Sequence, residues 1–422
     1  MWRAVVGRLR FLFARLLFIL AILGPGFITA NVDNDAGGIY TYASAGAKYG
    51  YSLLWTMIPM VIALIFAQEI AARMGVVTGK GLSELIRENY GVRITFFLMC
   101  GLVLCNLGDV VSEFAGVASS MQLFGVSKYI SVPIALGLVW ALVVFGSYKR
   151  LEKIFVCLSF LYIAYIITAV LGNPDWSLAG RETLRLPRMA DLGDRDYLYL
   201  SIGIIGATIA PWQQFYLQAS IVDKGTEQKD LRFAQADAIV GSLFSVVVAA
   251  FIVIACAATL FVHGHHEIRD AADAAQALKP LGKQYAFILF SVGLLNASLF
   301  AASILPLSTA YTVCEALGFE SGLNKKISEA PIFYWLYTGL LVTGAVAILG
   351  TPDILLVKVA VFSQVLNGVL LPFVLVFMLL LVNNPMLMGR YINRRTYNYV
   401  AWGLTIVIIG LTAFMLYTQV RW

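Results

Sequence analysis

The chain has 422 residues, of which 60% are hydrophobic and 13% are charged, and its mean hydropathy is +0.82. This composition is typical of a polytopic membrane protein and excludes an ordinary soluble domain. The formal net charge of +6 does not indicate a nucleic-acid partner, because the positive residues follow the pattern of a membrane topology. The five cysteines all lie within apolar segments, which argues against both a disulfide framework and a metal cluster.

Eleven apolar segments approach the length of about 20 residues that a membrane-spanning helix needs. Two of them, the first and the sixth, are interrupted by polar or helix-breaking residues. The predicted spans are 16–47, 52–74, 94–123, 132–145, 154–171, 198–221, 238–262, 285–317, 332–349, 353–381 and 400–416. We therefore predict a single all-α transmembrane domain over residues 1–422, embedded in the lipid bilayer.

The positive residues predict the orientation of these spans. Of the 30 Lys and Arg residues, 19 lie in the N-terminal segment and in alternate loops, 10 lie in the other loops, and Lys358 lies within a span. Because cytoplasmic loops are enriched in Lys and Arg, the N-terminus is predicted to be cytoplasmic and, after eleven spans, the C-terminus external. The apolar run 11–28 leads directly into a polar break, which does not fit a cleaved signal peptide.

The first span is interrupted by a run of polar residues and two glycines. These residues are Asn31, Asp33, Asn34, Asp35, Gly37 and Gly38. A carboxylate at mid-bilayer depth is costly, and non-helical backbone at that depth must be buried in protein or line a cavity. Together these features indicate a discontinuous helix whose free carbonyls and carboxylates hold a cation. Taken alone, the segment also fits an ordinary loop between two short apolar segments.

A glycine-rich turn follows the second span, and the spacing of Leu82, Leu85 and Ile86 predicts a short amphipathic helix after it. In the third span, Asp109 and Glu113 are four residues apart and share one helix face. Such a pair is either a satisfied polar patch against a neighbouring helix or part of a cation or proton path. Because carboxylates within a membrane are costly, we favour the second interpretation.

Two long polar loops are predicted on the external side. The loop 172–197 has nearly balanced charge and is predicted to be a structured connector. The loop 263–283 contains His263, His265 and His266, a cluster that could bind zinc. Because no cysteine or further histidine accompanies the cluster, we interpret it as part of a solvated loop.

The sixth span is the second interrupted apolar segment. Pro211 lacks a backbone donor and clashes with the preceding helical turn, and Thr208, Trp212 and Gln213 surround it. The interruption stands five spans after the first one, at the corresponding position of a second half. Two interrupted helices in matching positions predict an inverted-repeat transporter with a binding site between them, near the bilayer midplane.

The tenth span carries two amides, Gln364 and Asn367, which lie three residues apart near one helix face. Amides within a span either join helices through hydrogen bonds or line a site, and both interpretations stay open here.

Several motifs resemble those of the Nramp divalent-metal transporters. They are GPGF (24–27), AGAKYGYSLLW (45–55), ARMGVVTGKGLSELIRENYG (72–91), GIIGAT (203–208) and SQV…LPF (363–373). The resemblance runs from the first span through the tenth. It implies a leucine-transporter-type fold, with inverted five-helix repeats at about 16–171 and 198–381 and an eleventh helix at about 400–416.

The resemblance also implies which residues bind metal. The family's Asp-Pro-Gly-Asn motif on the first helix begins at Asp35, which is kept, and ends at Gly38, which replaces the asparagine ligand. On the sixth helix, Ala210 replaces the family's thioether ligand and Trp212 replaces the adjacent histidine. Gln364 matches the family's glutamine on the tenth helix.

Other titratable positions of the family are also changed. The aspartate of the third helix falls on Val110, with Asp109 one residue away and about 100° round the helix, whereas the glutamate is kept as Glu113. Gln218 replaces the second histidine of the sixth helix. These departures look like the Nramp-related magnesium transporter branch.

Ligand chemistry favours the same interpretation. A thioether favours thiophilic transition metals, whereas Mg²⁺ prefers oxygen ligands and keeps several of its waters. The loss of side-chain bulk at Gly38 and Ala210 is expected to enlarge the site for a largely hydrated ion. Asp35 is expected to be the central charged ligand, with further oxygens from Gly38, from the carbonyls of Thr208 to Ala210, and from Gln364. The residues expected to line the site or support its ligands are Asp33, Asp109, Glu113, Trp212, Gln213 and Asn367.

We therefore expect a transporter that moves Mg²⁺, with Mn²⁺ as a second substrate, across the cell membrane by alternating access. No enzymatic activity, cofactor or obligatory protein partner is expected. Proton coupling is not expected, because no histidine lies in a span, although Asp109 and Glu113 could form a substitute relay. The alternatives are an organic-solute carrier of the amino-acid permease type on the same fold, a proton-coupled Mn²⁺ or Fe²⁺ transporter, and a membrane enzyme or receptor.

Overall fold

The computed structural model describes residues 24–146, 162–275 and 283–420 of the chain. These residues form α-helices joined by loops and short 3₁₀ or π turns, and they contain no β-strand. In chain order the helices are α1 (Pro25–Val32), α2 (Ala36–Tyr49), α3 (Met57–Thr78), α4 (Leu82–Gln122), α5 (Lys128–Val144), α6 (Ile163–Leu171), α7 (Trp176–Leu184), α8 (Met189–Gly193), α9 (Arg195–Thr208), α10 (Pro211–Asp223), α11 (Leu231–Cys256), α12 (Ala271–Ala275), α13 (Lys283–Leu317), α14 (Pro331–Gly350), α15 (Leu356–Val382), α16 (Pro385–Met388) and α17 (Arg395–Val420).

Both predicted interruptions are confirmed. Residues 33–35 separate α1 from α2, and Ile209 and Ala210 separate α9 from α10. Seven of the described helical segments are long and apolar enough to cross a membrane. The other four predicted spans are the two interrupted ones, whose halves are short, the 17-residue α5, and the fifth, of which α6 is described. The beginnings of the first and fifth predicted spans (16–23 and 154–161) and both chain termini lie outside the described residues.

The predicted amphipathic helix is confirmed as the first part of α4. Gly91 interrupts this helix with a φ of +82°, a conformation that a residue with a side chain rarely adopts. Before this kink, Leu82, Leu85 and Ile86 are buried on one face. The amphipathic segment therefore packs against the helical core before α4 turns to cross the protein.

The two long polar loops that were predicted to be external differ in their structure. The loop 172–197 contains α7 and α8, so the prediction of a structured connector is confirmed. In the second loop, all three histidines are exposed. The described part of the chain contains no cluster of three or more His, Cys, Asp or Glu side chains that could hold a metal ion.

The interrupted helices lie at the centre of the protein, where α1 packs along α11 and where α2 and α9 both pack against α15. Glycines allow these close approaches. A Cβ at Gly241 of α11 would lie 2.6 Å from the Cα of Phe27, and a Cβ at Gly206 of α9 would overlap the carbonyl oxygen of Gln364. Gly241 therefore brings α1 against α11, and Gly206 brings the second interruption close to the polar residues of α15.

Candidate metal-ion site

Asp35 caps the helix that follows the first interruption. Its Oδ1 accepts a hydrogen bond from the Gly38 amide at 2.6 Å, as an N-cap side chain does at the start of a helix. The next amide, that of Ala36, donates to Glu113 Oε2 at 3.3 Å. The positive end of the α2 dipole therefore faces two carboxylates and lowers the free energy of burying them. Its partial charge does not neutralise the two negative charges.

Four acidic side chains lie beside this interruption, where three of them are within electrostatic range of Asp35, the fourth. They form the acidic cluster, Asp33, Asp35, Asp109 and Glu113, and each is at most 2% exposed. Within the described ranges, no Lys, Arg or His side chain forms an ion pair with any of them. Buried carboxylates without a counter-charge are strongly unfavourable, so the acidic cluster must take up either protons or a cation.

Two amides of α15 connect members of the acidic cluster. Gln364 Nε2 lies 3.5 Å from both carboxylate oxygens of Asp35. Asn367 Nδ2 donates to both oxygens of Asp109 at 2.9 Å and lies 3.4 Å from Gln364 Oε1. Asp109 therefore reaches the site through Asn367, even though the resemblance placed the family's aspartate on Val110.

Several oxygens at the first interruption are buried without a hydrogen-bond donor among the described residues. They are Asn31 Oδ1, Asp33 Oδ2 and Asn34 Oδ1. Both amides are held through their nitrogens instead: Asn31 donates to the Phe27 carbonyl at 2.7 Å, and Asn34 donates to Ser245 Oγ at 3.1 Å. Unsatisfied carboxylate and amide oxygens are the groups that a hard cation would satisfy. Sequence reasoning did not assign Asn31 and Asn34 to the site, although both stand in the polar run.

The second interruption has more of its polar groups paired. Gln213 donates from its side chain to the Thr208 carbonyl at 3.3 Å and from its backbone to the Ala210 carbonyl at 3.2 Å. Gln68 of α3 donates in turn to the side-chain oxygen of Gln213. The Thr208 hydroxyl lies 3.2 Å from the Tyr42 hydroxyl of α2. The Thr208 and Ala210 carbonyls, which were expected to coordinate metal, are thus engaged by protein donors in this conformation.

The expectation that Gly38 widens the site is wrong. A Cβ at this position would overlap the Asp33 carbonyl oxygen and lie 3.2 Å from Asp35 Oδ1. A Cβ at Gly37 would overlap the side-chain amide of Gln364. The space that a side chain would take at these two glycines is therefore occupied by the Asp33 carbonyl and by Gln364. The absence of a Cβ allows this close approach.

Trp212 is buried in the core and is 1% exposed. Its ring packs 6.3 Å from the ring of Tyr216, and its carbonyl accepts a hydrogen bond from Ser308 Oγ at 3.1 Å. None of the described contacts joins its indole to the acidic cluster. Trp212 therefore supports α10 from within the core.

Asp237 is a further buried carboxylate that sequence reasoning did not identify. It lies on α11 and accepts hydrogen bonds from the amides of Gly24 at 2.8 Å, Gly26 at 2.7 Å and Phe27 at 3.1 Å. These amides are at the N-terminus of α1, where a helix has no acceptors of its own. Asp237 thus clamps the start of α1 to α11. No spacing in the sequence relates residues 24–27 to residue 237.

Comparison with known proteins places this arrangement in a family. Residues 26–418 match the family model Nramp, described as natural resistance-associated macrophage protein-like. The divalent metal cation transporter MntH of Ralstonia nicotianae is 31% identical over 415 residues, covering 92% of this chain and 89% of that protein. The divalent metal cation transporter MntH of Deinococcus radiodurans is 28% identical over 412 residues, covering 94% of this chain and 90% of that protein.

Solved structures show the same fold. A manganese transporter from Eremococcus coleocola, in complex with an aromatic bis-isothiourea substituted compound, is 22% identical with a TM-score of 0.78, covering 95% of this chain and 87% of that one. Mhp1, a nucleobase-cation-symport-1 family transporter, is 14% identical with a TM-score of 0.55, covering 94% and 93%. The predicted leucine-transporter-type fold is thereby confirmed.

Proposed function

This chain belongs to the Nramp family, and on that premise we propose that it transports divalent metal ions, with Mg²⁺ as its main substrate and Mn²⁺ as a second one. The observation that carries the proposal is the acidic cluster, which is buried at an interrupted helix without a positively charged partner in the described structure. A divalent cation supplies the missing charge. An organic anion would be repelled by the same carboxylates.

The donor set favours Mg²⁺ over softer metals. The polar side chains at the two interruptions are carboxylates, amides and hydroxyls, and position 210, where the family has a thioether, is alanine. Hard oxygen donors suit Mg²⁺ and Mn²⁺, whereas sulfur favours thiophilic metals. The oxygen donors, and not the small size of residue 38, therefore favour Mg²⁺ at this site.

We assign Asp35 as the central ligand of the ion. The described residues do not bring three His, Cys, Asp or Glu side chains into position around one ion. A site with one direct carboxylate, amide or carbonyl oxygens from Asn34, Gln364 and the interrupted backbone, and retained waters fits the reluctance of Mg²⁺ to lose its hydration shell. The other acidic side chains of the cluster then act on the ion at a distance through their charge. They are Asp33, Asp109 and Glu113.

We propose that the ion moves without a coupled proton. Gln218, at the position of a family histidine, donates a hydrogen bond from its side chain to the Lys80 carbonyl at 2.8 Å, and Val110 is part of the apolar core. These side chains cannot carry protons away from the metal. Nor is coupling required, because a divalent ion entering a negative interior gains about 2 × 2.3 kcal/mol per 100 mV, enough for roughly a thousandfold accumulation.

The orientation and the division of the chain are part of the proposal. We place the N-terminus in the cytoplasm and the C-terminus outside the cell membrane, from the bias of Lys and Arg across the loops. The two repeats of the fold are assigned to about 16–171 and 198–381, with the helix at about 400–416 as an addition. Alternating access then consists of movement of the interrupted helices about the acidic cluster.

Ion flux into liposomes that contain the purified protein and a luminal pH dye tests three parts of the proposal together. They are the Mg²⁺ substrate, the role of Asp35 and the absence of proton coupling. External Mg²⁺ should enter faster when the interior is made negative, without acidification that follows the ion. Asp35→Asn should abolish entry, whereas Asp270→Asn in an exposed external loop, which can keep its hydrogen bond to the Asp273 amide, should not. Entry of Mn²⁺ without Mg²⁺ would contradict the magnesium assignment, and luminal acidification that requires Asp35 would contradict uncoupled transport.

A further inference from the structure

A polar cleft that contains no member of the acidic cluster lies at the end of α3 that the charge bias places in the cytoplasm. Its walls come from α3, from the start of α11, and from the segment 390–397 that leads into α17. The cleft has a volume of about 300 Å³ and is lined by Glu69, Arg73, Leu231, Gln235, Arg390, Tyr391, Ile392, Asn393, Arg394 and Tyr397. Three arginines against one glutamate give it a net charge of +2.

The floor of the cleft is a fixed hydrogen-bond network. Arg73, 8% exposed, donates to Glu69 Oε2 at 3.0 Å, to the Tyr391 carbonyl at 2.7 Å and to Asn393 Oδ1 at 2.6 Å. Tyr397 also donates to Glu69 Oε2, at 2.6 Å. The network neutralises Glu69 and fixes the cleft wall, so the charge that remains for a ligand belongs to the two exposed arginines, 390 and 394.

An apolar crevice continues the cleft towards the interior of the membrane. It runs between α3, α15 and α17 and is lined by Ala63, Phe66, Ala67, Ile70, Leu375, Met378, Leu379, Ala401, Leu404 and Thr405. The cleft and the crevice meet at Phe66 and Tyr397, whose ring centroids lie 4.0 Å apart. On α3 the crevice extends to Ala63, six residues before Glu69, and on α17 it extends to Thr405, eight residues after Tyr397. The groove therefore changes from basic to apolar along the direction of the bilayer normal.

We propose that this groove binds an anionic phospholipid of the cytoplasmic leaflet. Its phosphate would pair with Arg390 and Arg394, whose guanidinium groups match phosphate oxygens in geometry and charge. The interior of the crevice, about 20 Å³, is too small for an acyl chain, so the chain would lie along its apolar mouth. Basic pockets between spanning helices on the cytoplasmic side are suited to such headgroups.

A lipid in this groove would join elements that belong to different parts of the fold. Glu69 of α3 also accepts a hydrogen bond from Gln235 of α11 at 2.7 Å, so the network already connects these helices to the segment before α17. α11 carries the clamp residue Asp237 at the start of α1. The headgroup would thus hold α3 and α11 against the segment before α17.

The test is lipid binding by the full chain in detergent, measured by native mass spectrometry. The probes are phosphatidylglycerol, phosphatidylcholine with the same acyl chains, and inorganic phosphate. The parent protein should retain one phosphatidylglycerol in preference to phosphatidylcholine. Arg390→Gln with Arg394→Gln should weaken that binding roughly 30-fold, since each surface arginine contributes about one kcal/mol towards an anionic headgroup.

The matched control removes two positive charges elsewhere on the same face. Lys229→Gln with Lys326→Gln changes exposed residues that do not line the groove, and it should leave the lipid preference unchanged. Equal retention of both lipids by the parent protein, or equal loss in the control and in the arginine variant, would overturn the proposal. Displacement of the lipid by millimolar inorganic phosphate would also overturn it, because the site would then recognise the free anion. A melting temperature in phosphatidylcholine that matches the parent verifies that each variant is folded.

Discussion

The two ends of α1 both contact a buried acidic side chain, but the two ends are built in opposite ways. At its start, Asp237 accepts three backbone hydrogen bonds of 2.7 to 3.1 Å and is satisfied by the protein itself. At its end, Asp33 keeps an unpartnered oxygen within the described structure and lies near two other carboxylates, Asp35 and Asp109. A carboxylate surrounded by amides fixes a helix, whereas carboxylates that face one another must take up protons or a cation.

Replacing Asp35 tests the ion-binding end and should have the largest effect. Asp35→Asn keeps an oxygen that can cap α2 but removes the charge at the centre of the cluster. Because loss of an outer partner of a metal ligand typically costs 10–100-fold, loss of the central ligand should reduce Mg²⁺ flux by more than about 100-fold. The melting temperature without metal should stay the same or rise, because one buried charge is removed.

Near-normal flux in this variant would move the site elsewhere, and Asp33→Asn would then be the next variant to measure. A large loss of melting temperature would instead show that Asp35 holds the fold, as Asp237 does.

Replacing Asp237 tests the structural end. Asp237→Ala leaves three buried amides of α1 without an acceptor, which should lower the free energy of unfolding by about 3 kcal/mol. The result should appear as a lower melting temperature in detergent both with and without Mg²⁺. Asp237→Asn, which keeps one acceptor oxygen, should lie between the parent and the alanine variant. A shift that disappears at saturating Mg²⁺ would instead place Asp237 in the ion site.

The comparison also shows what the sequence could and could not reveal. The interruptions were predictable, because charges and glycines inside an apolar run contradict a continuous span. The role of Asp35 came from the family resemblance and stays a prediction. The three hydrogen bonds of Asp237 were not predictable, because they join residues more than 200 positions apart. The space around Gly38 was mispredicted, because composition shows which side chain is absent but not which backbone atom occupies its place.

Replacing Gly38 tests the geometry of the interruption, and the expected loss of Mg²⁺ flux is smaller than for Asp35. A Cβ at this position would overlap the Asp33 carbonyl, so Gly38→Ala should displace that backbone and reduce Mg²⁺ flux at least about tenfold, equivalent to about 1.4 kcal/mol. Gly339→Ala on α14 is the control, because its Cβ would meet no atom within 4 Å. Full activity of Gly38→Ala would show that the interruption is not rigid. Equal losses in both variants would point to a general effect of replacing glycine.

Replacing Ala210 tests whether a soft ligand changes the metal preference, and this change should be the smallest of the four. Ala210→Met supplies a thioether at the second interruption and should raise the preference for Cd²⁺ over Mg²⁺ by up to about tenfold in competition flux assays. Ala210→Leu has similar bulk without sulfur and should leave the ratio unchanged. If both variants change the ratio equally, the effect comes from size, and the argument from sulfur is wrong.

The central claim is that the acidic cluster holds the transported ion, and anomalous diffraction from crystals soaked with Mn²⁺ tests it most directly. Mn²⁺ shares the oxygen preference of Mg²⁺ and scatters anomalously. We expect one peak beside the first interruption, bonded to Asp35 directly or through one water, and no such peak in Asp35→Asn crystals. A peak that persists in the variant, or that lies at His263–His266 instead of at the acidic cluster, would contradict the account.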